Sequence, residues 1–264
     1  MLTYPHIDSI AFQVGSLAVR WYGLMYLFGF MCAYLLILRL TKKSELNINS
    51  DTVADLLFSC VLGVVFGGRI GYTLFYNLNY YWHHPIEVFY VWQGGMSFHG
   101  GLLGVIVAAS LFCHKRQLPM GKIADILVIS SCCGLFFGRI GNFINGELWG
   151  RVTDVPWAMV FPGAGPYPRH PSQLYEALLE GPILMIILLL INRQRFKPWT
   201  VFFSFICCYA LFRFIIEFFR QPDAHLGILS TGVTMGQMLS LPMLMVELIW
   251  PFIIKSFNIL VSPM

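Results

Sequence analysis

The sequence predicts an all-α protein, a polytopic membrane bundle of about seven transmembrane helices with small loop elements on the outer side. Three observations predict it. The chain is 57% hydrophobic and 11% charged over 264 residues, its mean hydropathy is +0.69, and its apolar residues gather into runs of near membrane length. Soluble domains carry about a quarter charged residues, and no stretch here is polar enough to form one, so residues 1–264 read as a single integral membrane domain. The first twenty residues lack the basic-then-apolar order of a signal peptide. Seven cysteines all fall in apolar runs, without metal-ligand spacing or a disulfide framework, and read as small buried hydrophobes. No metal or other cofactor is expected. A net charge of +4 suggests no nucleic-acid partner.

Taken in order, residues 10–19 alternate around Gly15-Ser16 and predict a short surface hairpin. A membrane-spanning helix needs about 20 apolar residues. Segments approaching that length are Trp21–Leu38, Val53–Tyr76, Ser97–Cys113, Ile123–Phe143, Leu174–Ile191, Trp199–Phe219 and Met235–Ile254. Pro182, Pro242 and Pro251 are candidate kinks. His83 and His84 fall in the connection after the second segment and read as interfacial loop residues.

Orientation follows from the basic residues of the short connections. Arg39, Lys42 and Lys43 follow the first segment; Lys115, Arg116 and Lys122 separate the third and fourth; Arg193, Arg195 and Lys197 separate the fifth and sixth; Lys255 follows the seventh. Every lysine lies in this alternate set, whereas residues 77–95 hold no Lys or Arg. The amino terminus is therefore expected outside and the carboxy terminus in the cytoplasm. With that orientation Tyr22, Arg69, His99, Arg139, Asn142, Arg213, Glu217 and Arg220 all fall toward the outer ends of their helices. Side chains that deep in hydrocarbon cost several kcal/mol, about 2–7 for an unpaired polar group, unless they meet partners or a polar ligand.

The richest stretch is Gly134 to Arg151, which starts as an apolar helix and then carries Arg139, Asn142, Asn145 and Glu147 before Gly150. Arg139 and Asn142, at i and i+3, share a helix face. A guanidinium among amides and glycines suggests an anion site; an arginine neutralised by a buried carboxylate, serving the fold alone, is the bland alternative. Tyr209, Arg213, Glu217 and Arg220 form one stripe at i, i+4, i+8 and i+11. Arg213 suits bidentate phosphate binding, although Arg213 and Glu217 can also simply pair with each other. His99, between Ser97-Phe98 and Gly100-Gly101, is a candidate base, with His170 its rival. Gly63, Gly67, Gly71, Gly100, Gly104, Gly134 and Gly138 have small-xxx-small spacing and read as helix-packing residues. Two segments also look alike: Ala54-Asp55 runs on to Gly68-Arg69-Ile70-Gly71, and Ala124-Asp125 to Gly138-Arg139-Ile140-Gly141. If this is a parallel repeat, Arg69 sits at the height of Arg139 across a shared pocket, as a third cation.

Residues 138–150, GRIGNFINGELWG, resemble the signature of bacterial prolipoprotein diacylglyceryl transferases. The likeness extends to Arg20-Trp21-Tyr22-Gly23, to Ser97 through Gly101, to Arg169 through Glu176, and to Tyr209 through Asp223. It implies phosphatidylglycerol and the lipobox cysteine of a prolipoprotein as substrates, at the outer face of the bacterial cytoplasmic (inner) membrane. The products would be a thioether-linked diacylglyceryl group and glycerol-1-phosphate, the first step of lipoprotein maturation, with no metal required. By matching positions, Arg139 and Arg213 would hold the lipid phosphate and His99 would serve catalysis. Tyr22, Asn142, Glu147, Gly150, Tyr209 and Glu217 would be the other functional positions.

The chemistry of the residues is compatible. A thiol of pKa about 8.5 needs a base or a positive field to become a thiolate. Its attack on a glyceryl carbon expels a phosphate monoester whose growing charge arginines can stabilise. The competing class is an inner-membrane transporter for an anion or lipid, whose arginines should line a path to both faces; here the inner ends offer only Asp55, Asp125 and Glu247. A rhodopsin-like photoreceptor would need a lysine well inside the last helix, and Lys255 stands at its end.

Overall fold

The fold is that of a computed structural model that describes residues 2–222, except 6, 16, 45, 47 and 195, together with 234, 236–238 and 240–245. Six of the seven expected apolar segments fall on described residues, and all six are helical. Helices α1 (Trp21–Lys43), α2 (Ser50–Tyr76), α5 (Met120–Asn145) and the run Ser172–Arg193 are long and apolar enough to cross a membrane. Two further apolar helices, α4 (Phe98–Lys115) and α8 (Thr200–Ile216), are shorter. Most of the seventh segment, with Lys255, lies outside the described residues, though 236–238 and 240–245 are helical.

The chain divides into two units, residues 36–126 and residues 1–35 with 127–264. In the first, α2 and α4 pack along glycine faces. A methyl group on Gly67 would stand 2.3 Å from the Gly100 carbonyl oxygen, and one on Gly104 would stand 1.9 Å from that of Gly63. Only hydrogen at these positions lets the two backbones approach so closely, which is how helices associate where lipid removes the hydrophobic drive. Asn49 caps α2 by accepting from the Thr52 amide, and Ser97 caps α4 by accepting from Gly100. The Ser97 amide in turn donates to Gly68 O at 2.8 Å, tying the start of α4 to α2. Between them lie α3 (Leu78–His83) and two 3-10 turns, Pro85–Phe89 and Val91–Gln93. His83, expected in a loop, instead closes α3, because residues 78–83 complete a turn and a half of helix.

In the second unit, strands β1 (Ile10–Val14) and β2 (Leu17–Arg20) form the expected antiparallel hairpin, with Val14 opposite Leu17. Gly15 at φ +61 supplies the left-handed residue such a tight turn requires. The fifth apolar segment is not one regular helix. It runs as α6 (Ser172–Leu178), a π-helical stretch Leu179–Ile183, and α7 (Leu184–Arg193). Pro182 removes an amide from the ladder and Gly181 leaves helical geometry (φ −95, ψ −106). A methyl on Gly181 would meet the Phe136 side chain of α5 at 2.7 Å, so the break also lets two helices approach. Of the glycines expected to pack helices, Gly134 receives Gly29 of α1 closely, but Gly138 faces open space.

Gly67→Ala and Gly138→Ala are chemically the same change in unlike places. The first is expected to destabilise by about 1–3 kcal/mol through overpacking. The second should be neutral or stabilising by up to about 1 kcal/mol through helix propensity. Unfolding midpoints of the purified variants in one detergent compare them.

An arginine–glutamate network as candidate active site

The site begins where α5 ends. Gly146 adopts φ +67, its amide donates to Phe143 O at 3.0 Å, and the Glu147 amide donates to Asn142 O at 3.1 Å. This pair of bonds is a Schellman termination, with glycine at the left-handed position. Tyr4 reinforces it by donating its hydroxyl to Phe143 O (2.7 Å) while its ring packs edge-on against Phe143. Because the chain turns back here, the Glu147 side chain reaches its own helix. Asn142 and Asn145 donate amides to Glu147 Oε1 at 2.9 and 3.2 Å. Asn142 also faces Tyr22, whose hydroxyl lies 3.2 Å from that of Tyr26.

One turn deeper on α5, Arg139 meets two carboxylates. Its Nε lies 2.8 Å from Glu176 Oε2 and 3.4 Å from Glu180 Oε2. Arg213 of α8 reaches the same Glu176 oxygen at 3.3 Å and donates to Glu217 Oε1 at 2.6 Å. Glu217 lies 3.7 Å from Arg220 and accepts from Thr234 Oγ1 at 2.8 Å. Thr234 and Gln237 bond reciprocally as a capping box, fixing a helix start on that carboxylate. Tyr209, one turn before Arg213, stands among Arg139, Arg213, Glu176 and Glu180. Glu176 and Glu180 have no exposed side-chain area, whereas Arg139 and Arg213 keep 18% and 15% of theirs. Each arginine side chain thus keeps some exposed area, whereas the carboxylate they share keeps none.

A short strap closes this end of the unit. Gly150 pairs with Arg220, its amide donates to His170 O at 2.9 Å, and the Arg151 amide donates to Phe219 O at 2.9 Å. A methyl on Gly150 would lie 2.6 Å from both His170 Cβ and Phe219 O, so the residue sits between two backbones with no room for a side chain. Ser172 and Gln173, fully buried at the start of α6, donate to Leu148 O and Glu147 O. Leu148 is held there at φ +57, a conformation rare for a branched side chain. Arg151 donates to Arg220 O and Glu217 O, and Arg169 to Ala164 O and Gly150 O. His170 is part of this strap, ahead of α6. Trp157 donates to the Tyr175 hydroxyl (2.6 Å), which lies 3.1 Å from His170 Nδ1, and burial lowers the His170 pKa.

In the other unit, Arg69 is 3% exposed and its guanidinium is enclosed by carbonyls. It donates to Val88 O at 2.8 Å, Glu87 O at 2.6 Å, Gly95 O at 3.3 Å and Gly94 O, and lies over the Tyr81 ring. These contacts hold the 85–95 loop to α2. The likeness to Arg139 thus ends at the backbone: one arginine is met by carbonyls, the other by carboxylates. His99 stands exposed in the first turn of α4, two residues after the Ser97 cap.

Of the residues singled out from the sequence, Arg139, Arg213, Glu217 and Tyr209 come together in one network, and Asn142, Glu147 just beyond α5 and Tyr22 of α1 form a second cluster at the end of α5. Glu176 and Glu180 were not anticipated as members. The signal was present, since both are carboxylates inside an apolar segment, spaced i and i+4.

A family model described as prolipoprotein diacylglyceryl transferase matches residues 9–253. The chain is 53% identical to a phosphatidylglycerol–prolipoprotein diacylglyceryl transferase of Geobacter sulfurreducens over 247 residues, covering 94% of this chain and 95% of that protein. Proteins of the same name from Aliivibrio salmonicida and Legionella pneumophila (strain Paris) are 53% and 52% identical, over 95% of this chain and 90% and 98% of theirs.

Glu176→Leu leaves two neighbouring guanidiniums without their shared counter-ion and is expected to cost about 3–5 kcal/mol, much of it recovered in the double variant with Arg139→Leu. A double-mutant cycle on thermal unfolding reads that coupling. Gly150→Ala should force the strap open and raise hydrogen exchange at the Arg151 and His170 amides. Acidification should weaken the same strap. With a folded pKa below the unfolded value of about 6.5, His170 adds stability that is fully present above that pH and lost as pH falls toward the folded value. His170→Phe should remove that part of the pH dependence of the unfolding midpoint.

Proposed function

The chain belongs to the prolipoprotein diacylglyceryl transferase family, and from that membership we propose that it transfers the diacylglyceryl group of phosphatidylglycerol to the lipobox cysteine of a prolipoprotein, the first step of lipoprotein maturation. One observation in this chain supports the reading above others. Arg139 and Arg213, from separate helices, converge on one fully buried carboxylate while each keeps part of its own side-chain area exposed. Two guanidiniums so held are preorganised for a phosphate.

In this reading the cysteine thiolate attacks the glyceryl carbon that bears the phosphate. A C–S bond forms, a C–O bond breaks, and glycerol-1-phosphate departs. The phosphate begins as a singly charged diester and leaves as a monoester with one more negative charge. Arg139 and Arg213 therefore interact more strongly with the transition state than with bound lipid, which is the condition for raising turnover. His99 takes the thiol proton, since imidazole is the side chain suited to that transfer near neutral pH. Tyr22, Asn142, Glu147, Gly150, Tyr209 and Glu217 shape the substrate site around the two arginines. Arg69 serves by fixing the loop that leads into Ser97 and His99. The lysine distribution favours an amino terminus outside and a site opening toward the periplasmic leaflet of the inner membrane.

Purified protein incubated with phosphatidylglycerol and a lipobox peptide should release glycerol-1-phosphate, and a Cys→Ser peptide should abolish release; peptide-independent loss of lipid would instead favour transport. In the same assay Arg213→Lys should lower turnover at least tenfold, because a point charge does not replace a bidentate fork. Arg69→Ala should reduce kcat with little change in the KM for lipid. A KM effect alone would return Arg69 to the head group. His99→Gln should lose activity at neutral pH, and unchanged turnover would shift the base to another group.

A further inference from the structure

The transfer chemistry above gives no task to Glu180, although its carboxylate is among the costliest groups of the network to bury. The side chain keeps no exposed area, and Arg139 is the only hydrogen-bond partner of that carboxylate among the described residues. Glu176 already meets the same arginine at 2.8 Å. A second buried carboxylate on an arginine so held is a poor source of stability, because desolvation consumes most of the Coulombic gain. What it adds is direction. Glu180 Oε2 accepts from both Nε and Nη2 of Arg139, each at 3.4 Å, and Glu176 Oε2 also lies on Nε. One edge of the planar guanidinium is thus fixed at two adjacent nitrogens, while Nη1 makes no hydrogen bond or ion pair among the described residues. Arg213 is held otherwise, by its two terminal nitrogens, Nη1 to Glu176 at 3.3 Å and Nη2 to Glu217 at 2.6 Å.

The backbone sets the Glu180 contact. Gly181 follows Glu180, and Phe136 lies one turn before Arg139 on α5. A methyl on Gly181 would stand 2.7 Å from Phe136 Cβ and 3.3 Å from its Cα, atoms that no ring rotation moves aside. The missing side chain therefore lets the chain at 180–181 close on α5 beside Arg139. We propose that Glu180 is a positioning residue for the transfer: it fixes the guanidinium plane of Arg139 so that the unbonded Nη1 faces the lipid phosphate, and Gly181 sets the distance. Glu180 touches no substrate in this scheme. The phosphate gains charge as the glyceryl C–O bond breaks. A tilted Arg139 therefore forfeits more in the transition state than with bound lipid, whose phosphate Arg213 still holds.

The inference rests on the phosphatidylglycerol reading, and its test separates the two. Glycerol-1-phosphate release is measured at saturating lipobox peptide with phosphatidylglycerol varied. Glu180→Ala should lower kcat about tenfold or more while the KM for lipid changes by less than about twofold. Glu180→Gln, whose amide oxygen can accept from the same two nitrogens, should keep kcat within about threefold of the wild type. Gly181→Ala keeps every charged group and should lower kcat as Glu180→Ala does. An unchanged kcat in Glu180→Ala, a rise in KM alone, or Glu180→Gln as slow as Glu180→Ala overturns the inference. If Glu180→Ala does not fold, the other two variants decide: loss of kcat in Gly181→Ala and its retention in Glu180→Gln are both required. A double-mutant cycle of Glu180→Gln with Arg139→Gln on thermal unfolding reads the contact without catalysis, and absence of coupling overturns the inference as well. Wild-type protein that releases no glycerol-1-phosphate would defeat the functional reading, while the cycle still reports whether Glu180 holds Arg139.

Discussion

The second unit depends on one carboxylate oxygen shared by two arginines. Glu176 Oε2 lies within 3.3 Å of guanidinium nitrogens from both α5 and α8. Two like charges at that separation inside an apolar bundle repel strongly unless a counter-ion lies between them. That counter-ion is completely buried, while both arginine side chains keep part of their area exposed. Stability and affinity are opposed in such an arrangement. Each carboxylate that steadies the arginines also competes with the phosphate they would bind.

Backbone devices deliver the charged groups to one place. The Schellman turn at Gly146 ends α5 and sends Glu147 back to Asn142. The close passage at Gly150 stitches the following residues to the turn after α8, which carries Glu217 and Arg220. The π-helical break allows two glutamates of one segment to reach a single arginine. In each case glycine is present because a turn or a backbone approach needs it. In the other unit, the same residue type supports the packing of α2 on α4, while Arg69 holds a loop through carbonyl contacts.

Much of this was legible in the residues. Hydropathy marked the apolar segments, alternation around Gly15 marked the hairpin, and glycine spacing marked helix-packing residues without saying which helices they join. Arg139, Arg213 and Glu217 were visible as charges inside apolar runs, where an ionisable group stands out against its background. Glu176 and Glu180 obeyed the same rule but were eclipsed by the arginines. Gly138 was grouped with packing glycines on spacing alone, although it faces open space. Arg69 looked like Arg139 because local sequence carries the motif and not the partner. Its carbonyl acceptors lie 18 to 26 residues away.

The sequence by itself determined the helices, the family and which side chains are too costly to lie in an apolar segment unpaired, because each of these follows from transfer energies and local patterns read along one stretch of chain. Tertiary structure alone decided who meets whom: that Arg139 and Arg213 share Glu176, that Glu180 joins them, and that Arg69 faces carbonyls. Those pairings join residues 37 and 41 positions apart in the arginine network. At such separations, contact is set by helix packing and by breaks in backbone geometry, which no local pattern encodes.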